Sequence, residues 1–435
     1  MSSLQIGLLV LLALLLLIAL RVPIFVSIAL VAFGGIAWIR DFQTAIAVFG
    51  STPLEFASNW SLTAIPMFVL MGAVAQRAGL TVSLFDAGRM WLSGLPGGLA
   101  LSTVFACTLF SAASGSSVAT TAAMGRIAIP EMLRHRYSPG LAAGSVAASG
   151  TLASTIPPSI AFVLFGWYTQ TPVGALLVAG IIPGIVTALT FGGFIVLYAA
   201  LKPEMAPPPT EAISWADRRR ALAEIWPMPL LIASVAGVIY GGFGTATEAA
   251  ALGALAAILI ALMRRTLTIS MMWQCARETA GTVAALLIIA VAAVVFVRFL
   301  AMAGIPSAIE EFGRTLNSNP LTIILFTSVV LLILGMFLDP LGIMLITIPV
   351  LLPLWRLAGM DLIWVGVLFV KLTEIGLLTP PVGLNAFVVR SVTGTAIPLG
   401  VIFRGLIPFM LLDLALVVLI VFVPEIAIYL PSTME

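Results

Sequence analysis

The chain has 435 residues, 61% apolar and 9% charged, with a mean hydropathy of +1.19 and a formal net charge of +2. Soluble domains carry about 25% charged residues, so this composition excludes an ordinary water-soluble fold, and the small net charge gives no electrostatic footprint for nucleic acid. Apolar stretches of roughly 20 residues predict a polytopic all-α membrane protein, and the ten-residue alternation of a membrane β-barrel is absent.

In chain order, residues 4–20 form a first apolar segment. It lacks the basic flank and small-residue cleavage site of a signal peptide, so it reads as a retained span. Residues 22–39 form a second span, with Arg21-Val22-Pro23 at the turn. Residues 41–60 mix Asp41, Glu55 and Asn59 into the apolar background, which suits an interfacial segment and closes an N-terminal scaffold unit, 1–60. A first repeat is expected over 61–201. It holds an apolar run ending at Gln76-Arg77, a turn at Gly94-Leu95-Pro96-Gly97-Gly98 and the run 99–113. Small polar residues interrupt it from Ser111 to Ser117; the run 118–133 then leads to an aqueous end at Arg134-His135-Arg136. Segments 140–168 and 173–201 follow.

Residues 202–226 read as a surface linker, with Pro203, Pro207, Pro208, Pro209 and the cluster Arg218-Arg219-Arg220. With Arg264-Arg265, this cluster places these ends in the cytoplasm by the positive-inside rule. Scaffold helices are expected over 227–280, around Gly241-Gly242-Phe243-Gly244. A second repeat, 281–435, holds apolar segments 281–300, 321–338, 341–355, 362–392 and 398–424. Cys107 and Cys275 show neither metal nor disulfide spacing and read as packing residues.

Two Pro-Pro pairs stand inside apolar segments: Ala153-Ser154-Thr155-Ile156-Pro157-Pro158-Ser159 and Gly376-Leu377-Leu378-Thr379-Pro380-Pro381-Val382-Gly383. Proline removes a backbone donor and clashes with the carbonyl one turn back, so each pair breaks its helix. Lipid cannot satisfy the exposed backbone groups, so such breaks survive only where they are buried in protein or line a cavity. Matched breaks in two halves point to a transporter binding site. Ser114 precedes Pro157 by 43 positions, and Asp339, in Phe337-Leu338-Asp339-Pro340-Leu341-Gly342, precedes Pro380 by 41. Each half therefore pairs an interrupted apolar segment, predicted to be a re-entrant hairpin, with a broken helix. Sequence leaves the relative orientation of the halves open; transporter architecture favours inversion.

The first hairpin tip, Ser111-Ala112-Ala113-Ser114-Gly115-Ser116-Ser117, offers hydroxyls, carbonyls and the amides of a restarting helix, a place for an ion or an anion. Small residues there would also serve close helix packing. At the breaks, the carbonyls of Ala153, Ile156, Gly376 and Thr379 are expected to lose their helical donors and become ligands for a hard cation. Such tips are poor in carboxylates, which favours sodium over a proton relay. Asp339, Lys371, Glu374, Arg390, Glu248 and Arg298 lie in or near apolar segments. Each would cost about 2.5–3.5 kcal/mol at mid-helix. Lys371 and Glu374, three apart, are spaced to pair on one helix face, while Arg390 and Arg298 are placed to snorkel. No phosphate-binding loop, zinc-protease pattern or nucleophile elbow is present, and His135 is the only histidine.

These residues resemble the large membrane subunit of tripartite ATP-independent periplasmic (TRAP) transporters, from about residue 5 to 425. The resemblance rests on Gly94-Leu95-Pro96-Gly97-Gly98, Ser114-Gly115-Ser116-Ser117-Val118-Ala119 and Ile156-Pro157-Pro158-Ser159. Tyr240-Gly241-Gly242-Phe243-Gly244-Thr245-Ala246-Thr247-Glu248-Ala249 and Thr379-Pro380-Pro381-Val382-Gly383-Leu384-Asn385 complete it, in order. It implies an inverted-repeat, elevator-type fold with about 11 transmembrane helices and two re-entrant hairpins. It implies a bacterial inner-membrane importer of a small carboxylate, coupled to Na+. Its partners would be a small four-helix membrane subunit, expected on a separate chain, and a soluble periplasmic substrate-binding protein. By motif, one sodium would sit among Ser114, Ser117, Ala153, Ile156 and Pro158, and another among Gly335, Asp339, Gly376, Thr379 and Val382. Substrate would meet Ser116, Thr155, Ser159 and Asn385. Two departures are Ala153, where the family commonly has Gly, and Ala246, where Pro is usual.

Three other readings stand beside it: a stand-alone sodium/anion symporter that needs no binding protein, a membrane-embedded enzyme acting on a lipid-linked substrate, and a structural scaffold. The enzyme would need a titratable cluster facing a cavity, and the polar tips are mostly Ser, Thr and Gly; a scaffold would not need broken helices at the midplane.

Overall fold

In the computed structural model, residues 2–20, 22–207, 214–315 and 319–434 are described. Arg21 of the first turn, and Pro208 and Pro209 of the linker, lie outside these residues. Every regular element among the described residues is helical. Seven helical segments are long and apolar enough to cross a membrane, and an eighth is counted if Phe42–Phe56 and Trp60–Arg77, bent by 59°, form one span. Shorter apolar helices at Ser3–Ile18, Ile24–Ile39, Gly98–Ser114 and Pro320–Gly335 accompany them.

Residues 42–57, in the stretch expected to be interfacial, form one helix that starts where Asp41 accepts the Thr44 amide at 2.7 Å. The helix Leu80–Leu92 follows Gly79, which takes a left-handed φ of 83°. In the linker, Trp215–Glu224 is a helix with a Ser214–Asp217 capping box. The expected division at 280/281 falls inside a continuous helix, Ile269–Met302. Several hydroxyls in the spans are satisfied locally: Thr52, Ser102, Ser111 and Thr187 each donate to a carbonyl four residues back at 2.6–2.7 Å. Without water to accept these hydroxyls, the helix's own carbonyls do so.

Each half contains a hairpin and a broken helix. The first hairpin joins Gly98–Ser114 to Ser117–Arg134, and the first broken helix runs Pro139–Gly150, Leu152–Thr155, then Ile160–Thr169. The second hairpin joins Pro320–Gly335 to Pro340–Leu357, and the second broken helix runs Leu362–Leu378, then Leu384–Thr393. Both Pro-Pro peptides are cis. The span Pro139–Thr169 serves as a ruler for direction. The first hairpin opens at its Pro139 end, where the Leu99 amide donates to Tyr137 Oη at 3.3 Å. The second opens at its Thr169 end, where Arg356 Nη2 donates to the Thr169 carbonyl at 3.3 Å.

The helix Leu399–Phe422 confirms the antiparallel sense. Its Gly405 packs on Gly140, while its far end, at Ile420, accepts from Trp364 Nε1 at 2.9 Å. The second broken helix thus begins at the face where the first one ends. The halves are inverted.

Candidate functional site

Four helices restart at the tips and breaks, and their N-termini converge. Ser116 caps Ser117–Arg134 by accepting the Ala119 amide at 3.4 Å. Ser159 caps Ile160–Thr169 by accepting the Phe162 amide at 3.3 Å. Asp339 caps Pro340–Leu357 by accepting from Leu341 at 3.2 Å and Gly342 at 3.3 Å. Gly383, at a φ of 58°, precedes Leu384–Thr393. One cavity of about 200 Å³ touches the first residue of all four helices: Ser117, Ile160, Pro340 and Leu384. A helix N-terminus carries roughly half a positive charge on its unpaired amides. The Asp339 carboxylate offsets one of these ends, and the other three around one small space make an environment for an anion. The volume is below the roughly 300–1,000 Å³ of drug-sized ligand sites, which suits a small organic acid.

Gly115 lets the first tip approach the first break. It holds a φ of 61°, and a Cβ there would stand 2.8 Å from the Pro158 carbonyl oxygen. Its own carbonyl accepts from the Ile160 amide at 3.5 Å. In the second half, Gly335 and Gly376 touch backbone to backbone: a Cβ on either would lie 2.6 Å from the other's Cα. Asn385 ties the halves together, with Nδ2 donating to Ser117 Oγ at 2.9 Å and to the Ala147 carbonyl at 3.3 Å.

Of the residues expected to bind sodium or substrate, Ser116, Ser117 and Asp339 line the cavity; Ser154, from the first break, joins them. Ser114 precedes the tip and donates to the Ser116 carbonyl at 3.2 Å. Ala153 and Thr155 end the short helix before the first break, with Ile156 as its C-cap and Pro158 beyond it. Pro158 borders a separate cavity of about 150 Å³. Gly376 and Gly335 form the backbone contact; Thr379 and Val382 belong to the second break. Thr155, Ser159 and Asn385 are buried but are not on the wall of the 200 Å³ cavity. The Gly376 carbonyl, expected to be free, accepts the Thr379 amide at 2.9 Å, and one lone pair remains for any ion.

The charged residues divide in two. Glu248 closes a capping box with Thr245, Arg298 pairs with Glu55, and Arg390 donates to the Ile397 carbonyl at 2.7 Å. These are structural arrangements. Lys371 and Glu374 do not pair. The Lys371 ammonium instead donates to Asp413 and, at 3.0 Å, to Thr187 Oγ1. Asp413 was not singled out in the sequence, although a lone carboxylate in the apolar run Leu411-Leu412-Asp413-Leu414 is a visible signal. Glu374 is buried with neither oxygen hydrogen-bonded. Asn385 Oδ1, an acceptor, and the Thr121 hydroxyl are likewise buried without a hydrogen-bond partner. Oxygen ligands of this kind suit a hard monovalent cation. Among the described residues, no group of three or more His, Cys, Asp and Glu gathers as a transition metal would require.

A larger cavity, about 700 Å³, lies at the Thr169 face, lined by Trp60, Pro172, Thr245, Asp361 and Ser432 among others. It reaches neither hairpin tip nor either Pro-Pro break. The chemistry is concentrated at the smaller space.

The chain matches the family described as the tripartite ATP-independent periplasmic transporter, DctM component, over residues 11–426. It is 37% identical to the C4-dicarboxylate TRAP transporter large permease protein DctM of Pseudomonas aeruginosa, over 87% of this chain and 88% of that protein. It is 32% identical to the isethionate TRAP transporter permease protein DctMQ of Oleidesulfovibrio alaskensis, over 88% of this chain and 61% of that longer protein. Among solved structures it resembles the YdaH transporter of Alcanivorax borkumensis, with a TM-score of 0.65 at 15% identity, covering 88% of this chain and 90% of that one. At that identity the likeness is one of fold.

Proposed function

Since the chain belongs to the family of TRAP transporter DctM components, the large permeases of organic-acid transporters, we propose that it imports a small organic anion by sodium symport. The observation that carries this reading is the convergence of four helix N-termini on one cavity of about 200 Å³. Such a site attracts a carboxylate or sulfonate. The substrates named for the two relatives above, a C4-dicarboxylate and isethionate, are both small organic anions.

In this reading one sodium occupies the first tip and break through Ser114, Ser117, Ala153, Ile156 and Pro158. A second occupies Gly335, Asp339, Gly376, Thr379 and Val382. Sodium bound beside the helix N-termini offsets the charge of the arriving anion. A dianion crossing with two sodium ions moves no net charge, so it gains nothing from the roughly 2.3 kcal/mol that each unit charge takes from 100 mV. The sodium gradient then supplies the whole driving force.

The hairpins and broken helices travel as one body against the remaining helices, an elevator motion. The partners are a small membrane subunit, which steadies the static helices, and a periplasmic binding protein, which delivers substrate. The basic Pro139 face, with Arg134, Arg136, Lys202 and Arg218-Arg219-Arg220, is cytoplasmic by the positive-inside rule, and the membrane is the bacterial inner membrane.

The test is uptake of a labelled C4-dicarboxylate into vesicles carrying the three components. Uptake is expected to collapse when potassium replaces sodium. Undiminished uptake rejects sodium coupling, and uptake that persists without the binding protein favours a stand-alone symporter.

A further inference from the structure

Glu374 lies in the second broken helix, 1% exposed, and neither Oε1 nor Oε2 has a hydrogen-bond partner. Its surroundings do not balance its charge. Lys371, one turn earlier, is engaged by Asp413 and Thr187, and that ion pair is neutral by itself. The groups acting on the carboxylate are the hydroxyls of Ser154 and Ser117 and the charges of Asp413 and Lys371. The two hydroxyls are neutral and lie beside the carboxylate, so they bring no charge to balance it. Ser117 also receives Asn385 Nδ2 at 2.9 Å, and Asn385 Oδ1 is left buried and unpartnered.

An uncompensated carboxylate and the Asn385 amide thus meet at one serine of the first hairpin tip, and the oxygen of that amide is left without a partner. A buried ion in a low-dielectric interior persists only when paired. Oxygen donors of this kind are what a hard cation takes.

We propose that Glu374 is the counter-charge of the coupling cation at the first hairpin tip. It lies across the inverted repeat from Ser117, with Asn385 Oδ1 as a further oxygen ligand. This rests on the sodium reading above and goes beyond it. The motif residues of the first site supply neutral oxygens from the first half, while the charge comes from the second. Cation binding would therefore draw the first hairpin and the second broken helix together, which gives the ion a hold on both halves at once.

The experiment is thermal unfolding of the full-length chain in lipid nanodiscs, titrating NaCl against choline chloride at constant ionic strength. The wild type is expected to gain Tm saturably with sodium. Glu374→Gln is expected to raise the half-saturating sodium concentration at least tenfold, while its Tm in choline equals or exceeds that of the wild type, because the orphan charge is gone. Should that variant not fold, Glu374→Asp keeps the charge one methylene short and is expected to weaken sodium several-fold. A wild-type response that either folded variant leaves unchanged overturns this proposal alone. A wild type indifferent to sodium overturns it together with the sodium reading.

Discussion

Lys371 and Asp413 show what burial does to a charge in this chain. Their side chains are 2% and 0% exposed. Removing one partner leaves the other charged and dry, which costs about 3–5 kcal/mol, whereas replacing both with apolar residues is often neutral. Lys371→Met is therefore expected to lower stability by about that amount, and Lys371→Met with Asp413→Leu to recover most of it. Chemical unfolding of the two single variants and the double variant checks this; additive losses would mean that the pair is not coupled. The sequence offered Glu374 as the partner of Lys371, because spacing on one helix was the only geometry available. The partner that the fold supplies lies 42 residues away. Local spacing cannot rank a neighbour in sequence against one brought by packing.

At the scale of elements, close helix contacts depend on glycines without side chains. Gly144 and Gly405 join the first broken helix to Leu399–Phe422: a Cβ at Gly405 would lie 1.9 Å from the Gly140 carbonyl oxygen, and one at Gly144 2.3 Å from that of Gly405. No flexible group can yield there. Gly405→Ala is expected to cost about 1–3 kcal/mol through overpacking, read as a fall in Tm. Gly400→Ala, with open space around its Cβ, is the control that should leave Tm within about 1 °C if the loss is steric.

The hairpins and breaks were legible because proline, glycine and serine interrupt apolar runs for reasons local to the backbone. The helix Leu80–Leu92 is not legible in the sequence. It is short and amphipathic, and it is held by contacts from afar: Arg264 donates to Ser83 at 2.9 Å, and Arg89 pairs with Glu131 at 2.5 Å. The continuity of Ile269–Met302 is equally hidden, because the polar residues at its start lie outside the apolar run 281–300.

For the whole molecule, the inverted halves set two faces of different charge. Helix Trp215–Glu224 belongs to the Pro139 face, where Trp91 Nε1 donates to the Arg218 carbonyl at 3.1 Å. The turn at Phe243 belongs to the opposite face, beside the large cavity that Gly244 and Thr245 share with Asp361. Cys107 and Cys275 are the chain's two cysteines, so a cysteine-free background needs only those two replacements. In it, Phe243→Cys is expected to react with a membrane-impermeant maleimide on intact spheroplasts, and Leu222→Cys only after permeabilisation. The reverse pattern would reverse the assigned orientation.

What the sequence by itself determined was the solvent, the helical class, the two interrupted hairpins and the two broken helices. Each follows from the chemistry of neighbouring residues: apolar length, proline's missing donor, glycine's freedom. Only the tertiary structure decided that the halves run in opposite directions, that four helix N-termini share one cavity, and that Glu374 comes to rest against Ser117 and Ser154. Those facts join residues more than 200 positions apart, and the physical reason is that packing, not spacing, decides which charge and which dipole meet inside the membrane.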